Sequence, residues 1–339
     1  MLKRFFKYIK EFIIEEYKYI IGLLFIYILF TWPVNYYIVV GGGISDVNSR
    51  IKVEDAYKSK GSFNLSYVTE LQGRVATYLL SYVISDWERV SVDDYKYEKE
   101  ENIEDVEFRS DLDLKTANSV AVEYAYKLAG KEYRQLNTKF YVVATFSEYD
   151  TNLKIQDQIL SVNGKSFDTI EEYKKNLQDF KKGDIAKVKV LRDGKEITVA
   201  CKVYEYQGVR ILGVSLQKVS DYVTDPEVKI EFESDESGPS GGLITTLDIY
   251  NKLIKKDITH SLKIAGTGTI EEDGSIGTIG GVEYKLLGAE SGRADVFLVP
   301  AGENYEECMK IKKKKDLKIK VISVSTIEEA IQKLETLEQ

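Results

Sequence analysis

The chain has 339 residues, enough for two or three domains that each bury a core of their own. Hydrophobic residues make up 43% and charged residues 30%, with 4 prolines and 24 glycines, which excludes a largely disordered or collagen-like chain. The net charge of -8 comes with no basic domain, so no nucleic acid partner is expected, and the single basic run, Lys312 to Lys315, reads as a solvated helix face. One histidine and the lack of a CxxC pair exclude the usual zinc ligand sets, and no metal or cofactor is expected. Cys201 and Cys308 fall in separate apolar patterns and read as two buried thiols rather than a disulfide.

At the amino end there is no charged residue between Lys18 and Asp46. Residues 19–40, at about 1.5 Å per residue, can cross a hydrocarbon core of about 30 Å, and the sequence predicts a transmembrane helix there that contacts the lipid bilayer. Pro33 would end or kink it, and Trp32, Tyr36 and Tyr37 would form an interfacial aromatic belt. The first alanine is Ala56, so a cleavable signal peptide fits less well than an uncleaved anchor. Lys3, Arg4, Lys7, Lys10 and Lys18 precede the run, which assigns residues 1–18 to the cytoplasm and the remainder to the outside of a single-pass cell-membrane protein.

Gly41-Gly42-Gly43 opens a segment, residues 41–137, of mixed α/β character. Val68 to Val83 has a helical pattern, Asp93 to Asp113 reads as a charged loop or irregular arm, and Thr116 to Leu128 reads as a helix with Ala117, Val120, Ala121, Tyr124 and Leu128 on one face. From Phe140 the period changes to that of strands, at Phe140–Ala144, Gln158–Val162, Ala186–Leu191 and Glu196–Val203, with turns at Asn163-Gly164 and Asp193-Gly194 and a helix at Ile170–Phe180. This order, with Gln156-Asp157 where Gly-Asp is usual, resembles a bacterial PDZ domain over residues 138–206, followed by a linker at 207–227. The resemblance implies binding of an extended peptide by strand addition.

The chemistry-bearing segment begins with a strand at Val228–Glu233 and a turn, Ser237-Gly238-Pro239-Ser240-Gly241-Gly242, that leads into a helix from about Ser240 to Ile254. Glycines around one serine allow a sharp turn and close approach of a substrate, and the helix start offers free N–H groups to a developing oxyanion. An isolated serine in this place would serve equally as the helix N-cap. Further on come Ile264-Ala265-Gly266-Thr267-Gly268-Thr269-Ile270, a turn at Asp273-Gly274, and Ile279-Gly280-Gly281-Val282-Glu283-Tyr284-Lys285 at the start of another helix. Strands at Asp295–Val299 and Lys318–Ile322 then alternate with helices at Glu303–Lys314 and Thr326–Leu337. His260 stands just before a strand with no acid placed to orient it, and reads as a turn residue.

The serine turn and the later lysine together resemble the proteolytic domain of Lon-type Ser/Lys proteases, over residues 228–339. With the anchor and the PDZ-like part, the whole resembles the PDZ-containing, membrane-anchored branch found in Gram-positive bacteria. The fold class expected is therefore α+β multidomain: a transmembrane helix, a β-rich PDZ-like domain and an α/β proteolytic domain. The resemblance implies Ser240 as nucleophile, Lys285 as its base and Thr267 as the residue that orients the lysine. It assigns Gly238, Pro239, Gly241 and Gly242 to the nucleophile turn and oxyanion hole, with Gly241 in place of a more usual alanine and Ser237 in place of a common aspartate. A lysine can take the serine proton only as the neutral amine, against an ordinary pKa of about 10.4, and Ile279, Val282, Leu286 and Leu287 would disfavour its charged form. The implied activity is that of an extracytoplasmic endopeptidase, ATP-independent because the chain has no Walker loop, acting on exported peptides or proteins, secreted signalling peptides among them. The alternative is a non-catalytic PDZ scaffold that binds extended peptides at the cell surface. Nothing in the sequence fixes an oligomeric state.

Overall fold

The computed structural model describes residues 2–233, 235–254 and 256–337. Helix α1 (Leu2–Thr31) gives way at Pro33 to strand β1 (Pro33–Asp46), followed by β2 (Ile51–Val53), β3 (Ser62–Arg74), the short α2 (Val75–Leu80), β4 (Glu88–Ser91) and the long α3 (Ile103–Ala129). Next come β5 (Glu132–Thr145), β6 (Gln158–Val162), α4 (Ile170–Gln178), β7 (Ile185–Arg192), β8 (Lys195–Lys202), β9 (Tyr204–Tyr206), β10 (Val209–Ile211) and β11 (Val214–Asp225). The last stretch holds β12 (Val228–Ile230), α5 (Gly242–Leu253), β13 (Lys263–Gly266), α6 (Val282–Ser291), β14 (Val296–Pro300), α7 (Glu303–Lys315), β15 (Lys320–Val324) and α8 (Ile327–Glu335). The chain divides into two compact units, Met1–Gly41 with Val68–Tyr95, and Gly42–Tyr67 with Lys96–Gln339.

The first unit corrects the expected transmembrane helix at residues 19–40. Pro33 does not kink a span; it starts β1, whose Tyr36–Val39 pair antiparallel with Glu88–Ser91 of β4. The uncharged part of α1 is only Tyr19–Thr31, about 20 Å of helix at about 1.5 Å per residue, against a hydrocarbon core of about 30 Å, and Glu15, Glu16 and Lys18 lie within the turns before it. Among the described residues no helix is long and apolar enough to cross a membrane. The lipid bilayer contact and the single-pass placement, with a cytoplasmic amino end and an extracytoplasmic catalytic domain, fall with the span. Tyr36 and Tyr37, read as part of an interfacial belt, instead pack in ring contacts with Tyr78 and Tyr95 of the same unit. The helix expected over Val68–Val83 is also shorter: residues 68–74 continue β3, and only Val75–Leu80 turn into helix.

The charged arm expected at Asp93–Asp113 is helix from Ile103 onward, the start of α3 in the second unit. Asn102 caps α3 by accepting from the Asp105 N–H while Asp105 returns a bond to the Asn102 N–H, and Gly130 ends the helix in the left-handed region at φ 62°. The predicted Thr116–Leu128 helix is its C-terminal half. Strands β11-β5-β6-β7-β8 form an antiparallel sheet in that order, around a core that includes Phe140, Val142, Ile159, Leu177, Val188 and Val190. Cys201 and Cys308 are free and buried, and burial pushes their thiols up to about 11 and about 12.

A parallel sheet underlies the carboxyl-terminal part. Ile264–Gly266 of β13 lie beside Phe63–Leu65 of β3 on one side and Val296–Leu298 of β14 on the other, and β15 follows β14. Parallel strands covered by helices read as continuous apolar runs, as Val296–Pro300 does. Helix α5 is buried almost all round, and Leu243, Ile244 and Leu247 belong to a core shared with Tyr126 of α3 and Ile327 of α8.

Within α5, Asp248 pairs with Lys252 at 2.7 Å, both buried. Burial pushes the Asp248 carboxyl from an ordinary 3.8 up to about 6, with the Lys252 ammonium pulling the other way. The folded state thus holds this proton more tightly than the unfolded chain does, so the contribution of Asp248 to stability declines as pH rises from about 4 to about 6. Denaturant unfolding of Asp248→Asn across that range should lack this decline. A difference from wild type that stays constant with pH would contradict the assignment.

Candidate active site

Ser240 stands in a turn shaped by its neighbours. Gly238 has φ +84°, a conformation that glycine adopts without strain, and its N–H donates to the Ser110 carbonyl of α3 at 2.9 Å. The Gly242 N–H closes the turn on the Pro239 carbonyl at 3.2 Å. Helix α5 starts at Gly242 with Gly241 as its N-cap and no side-chain capping bond, so Ser240 lies outside the helix and is not the cap that an isolated serine there could have been. Gly242 is held to glycine by close approach: a Cβ there would meet the Ile270 nitrogen at 2.9 Å.

The segment after β13 grips this turn. Gly268 N–H donates to the Ser240 carbonyl at 2.8 Å, the Thr267 hydroxyl donates to the same oxygen at 3.2 Å, and Leu243 N–H donates to the Gly268 carbonyl at 3.0 Å. Thr267 is fully buried. The structure therefore brings Ser240 and Thr267 together through the serine main chain.

Lys285 lies on the first turn of α6, whose N-cap Gly281 has φ +67°, and its N–H returns to the Gly281 carbonyl at 3.1 Å. Its side chain is buried at 5% exposure, and Val282, Leu286 and Ala289 of the same helix are in an apolar cluster with Ala265, Phe297 and Val299. Two residues of β3 that the sequence did not single out stand at both parts of the site. A Cβ on Gly241 would come 3.1 Å from the Leu65 Cδ1, and Ser66, fully buried, donates its hydroxyl to the Lys285 carbonyl at 2.7 Å. The loop before α6 is fixed by a third: Asn304 accepts from the Ile279 N–H and donates to the Ile279 carbonyl, each at 2.9 Å. No local motif marks Ser66 or Asn304, because Ser66 acts across 219 residues and Asn304 across 25. His260 stays in the turn before β13, in the left-handed region at φ 50°.

A second surface belongs to the antiparallel sheet, where β11 is an edge strand with β5 as its partner. Helix α3 covers part of that edge: Thr116 donates to the Lys218 carbonyl, and Ser119 exchanges bonds with the Ser220 carbonyl and N–H. Val214–Leu216 lie before the covered stretch, after Gly213 with φ +73°. Residues 137–203 match the PDZ domain family, and residues 222–336 match the family described as Lon protease (S16) C-terminal proteolytic domain. The chain carries a PDZ domain and a Lon-type proteolytic domain. The second match supports a serine peptidase, and the two together support binding of a peptide or protein substrate. No curated protein matches the chain. Among solved structures, the PDZ domain of an SdrC-like protein from Listeria monocytogenes is similar over 23% of this chain and 85% of that one, with 22% identity and a TM-score of 0.21.

Replacing Asn304 with alanine leaves the Ile279 N–H and carbonyl without their side-chain partner, and loss of buried hydrogen bonds costs about 1–3 kcal/mol. Denaturant unfolding of Asn304→Ala should show a loss of that order. Unchanged stability would remove Asn304 as the anchor of the loop that leads to Lys285.

Proposed function

We propose that the protein is a serine endopeptidase in which Ser240 is the nucleophile and Lys285 the general base. The observation that supports this reading most is the Ser240 turn at the start of α5, with the serine carbonyl bound by Gly268 and Thr267, inside a segment that matches a proteolytic domain. In this reading Lys285 takes the Ser240 proton as the hydroxyl attacks the scissile carbonyl, and hands it to the leaving amine. The N–H groups at the start of α5 face the charge that develops on the carbonyl oxygen, with Gly238, Pro239, Gly241 and Gly242 setting the backbone that presents them. Water then adds to the acyl group on Ser240, with Lys285 again as base, and releases the second product. Lys285 is buried, and both steps require it as the neutral amine. Thr267 orients the lysine through the packing of the segment it shares with Gly268. The substrate is an extended peptide or an unfolded protein segment, presented along the open edge of β11 at Val214–Leu216.

Fluorescein-labelled casein serves as a generic substrate for the test. Ser240→Ala should reduce its cleavage to background while the protein unfolds as cooperatively as wild type. Lys285→Arg, always charged, should be equally inactive, and wild-type activity should rise with pH through one ionisation. Cleavage that survives Ser240→Ala, or a rate flat with pH, would reject the dyad and leave the chain as a peptide-binding scaffold.

A further inference from the structure

Helix α3 touches both domains within two consecutive residues. Arg109, at 5% exposure, donates from Nη1 to the Val143 carbonyl of β5 at 3.0 Å, and its Nη2 lies 2.9 Å from Glu101 Oε2, itself at 5% exposure. Tyr97 covers the guanidinium, with the Arg109 Cζ 4.0 Å from the ring centre. The next residue, Ser110, offers its carbonyl to the N–H of Gly238, two positions before Ser240. The carboxyl-terminal half of the same helix is tied to the proteolytic domain separately, by Tyr124 to the Asp273 carbonyl and Tyr126 to the Pro226 carbonyl.

We propose that Arg109 is a positioning residue for the nucleophile turn, acting through Ser110 and Gly238; the proposal rests on the peptidase reading above. An arginine buried at an inter-domain seam must be fully paired, since an unpaired buried charge is strongly destabilising, and the pairing fixes the rotation and height of the first turns of α3. Those turns set where the Ser110 carbonyl sits. Gly238, free to adopt a wide range of backbone angles, has little conformational preference of its own to hold the turn in one shape, so the bond to Ser110 selects the conformation that presents Ser240. Because β5 is also the partner of β11, the same contact ties the peptide-accepting sheet to the turn that reacts. A small misplacement of a reacting group lowers the rate far more than it lowers binding, which gives the proposal a kinetic signature.

The test measures acylation of the full chain by p-nitrophenyl acetate, separating the maximal rate from the half-saturating concentration, together with hydrogen exchange at the Gly238 amide. The double variant Glu101→Gln/Arg109→Met removes both members of the pair together, and cooperative denaturant unfolding of the variant checks that it is folded. It should acylate at least about tenfold more slowly at saturation, on the scale expected for lost positioning, with half-saturation within twofold and faster exchange at Gly238. Tyr97→Leu alters an exposed side chain that lies against the Arg109 guanidinium, keeps the main-chain bond from the Tyr97 N–H to Glu101, and should slow acylation by a smaller factor in the same direction. If wild type acylates and both variants stay within twofold of it with Gly238 exchange unchanged, the inference is overturned and the peptidase reading stands. If wild type itself is not acylated, the peptidase reading fails and this inference with it.

Discussion

The carbonyl oxygen of Ser240 is the point on which the candidate site depends. It accepts from the Gly268 N–H and the Thr267 hydroxyl, while Leu243 N–H returns a bond to the Gly268 carbonyl, so the turn and the strand exit are laced together in both directions. A glycine-rich turn has little conformational preference of its own. Bonds from a buried neighbouring segment hold its Ser240 end, as the bond to Ser110 holds its Gly238 end, and that segment is itself fixed because Thr267 N–H donates to the Leu298 carbonyl of β14. The central sheet thereby sets the geometry of a turn that contributes no residue to it.

The apolar packing explains why such a turn can be held at all. Helix α5 buries nearly every side chain from Gly242 to Leu253, including polar Thr245, Thr246 and Asn251. Its hydrophobic residues contribute the burial that offsets the entropy of ordering the surrounding loops; among its polar ones the Thr246 hydroxyl donates to the Gly242 carbonyl at 2.8 Å, Asn251 accepts from the Ile258 N–H, and Lys252 reaches the Ile51 carbonyl. Helix α3 completes the frame, because it packs on α5 with one face and carries the hydroxyls that cover β11 with another.

Much of this frame was legible in the sequence where the signal is local. The alternation of Ala186–Leu191 and Glu196–Val203 gave strands β7 and β8 with the Asp193-Gly194 turn between them, and the serine turn stood out by its glycines. The rest was hidden for physical reasons. The uncharged run at residues 19–40 looked continuous because hydropathy ignores what Pro33 does to the backbone: it begins a strand that pairs with β4, leaving a helix too short in its apolar part to cross a bilayer. The charged residues of Asp93–Asp113 read as solvated, yet Glu101 and Arg109 neutralise each other in the interior, a pairing that no window of sequence reveals. Ser66 and Asn304 join the site from elements distant in the chain, and a lone serine in a strand or asparagine in a helix start has no pattern to mark it.

The central claim is that Ser240 acquires an acyl group from its substrate with Lys285 as base. Incubation with a peptidyl acylating probe, followed by intact mass and peptide mapping, tests it most directly. Wild type should gain one acyl group, mapped to the peptide that contains Ser240, and Lys285→Met should gain none. No adduct on a folded wild type, or an adduct confined to another residue, would contradict it.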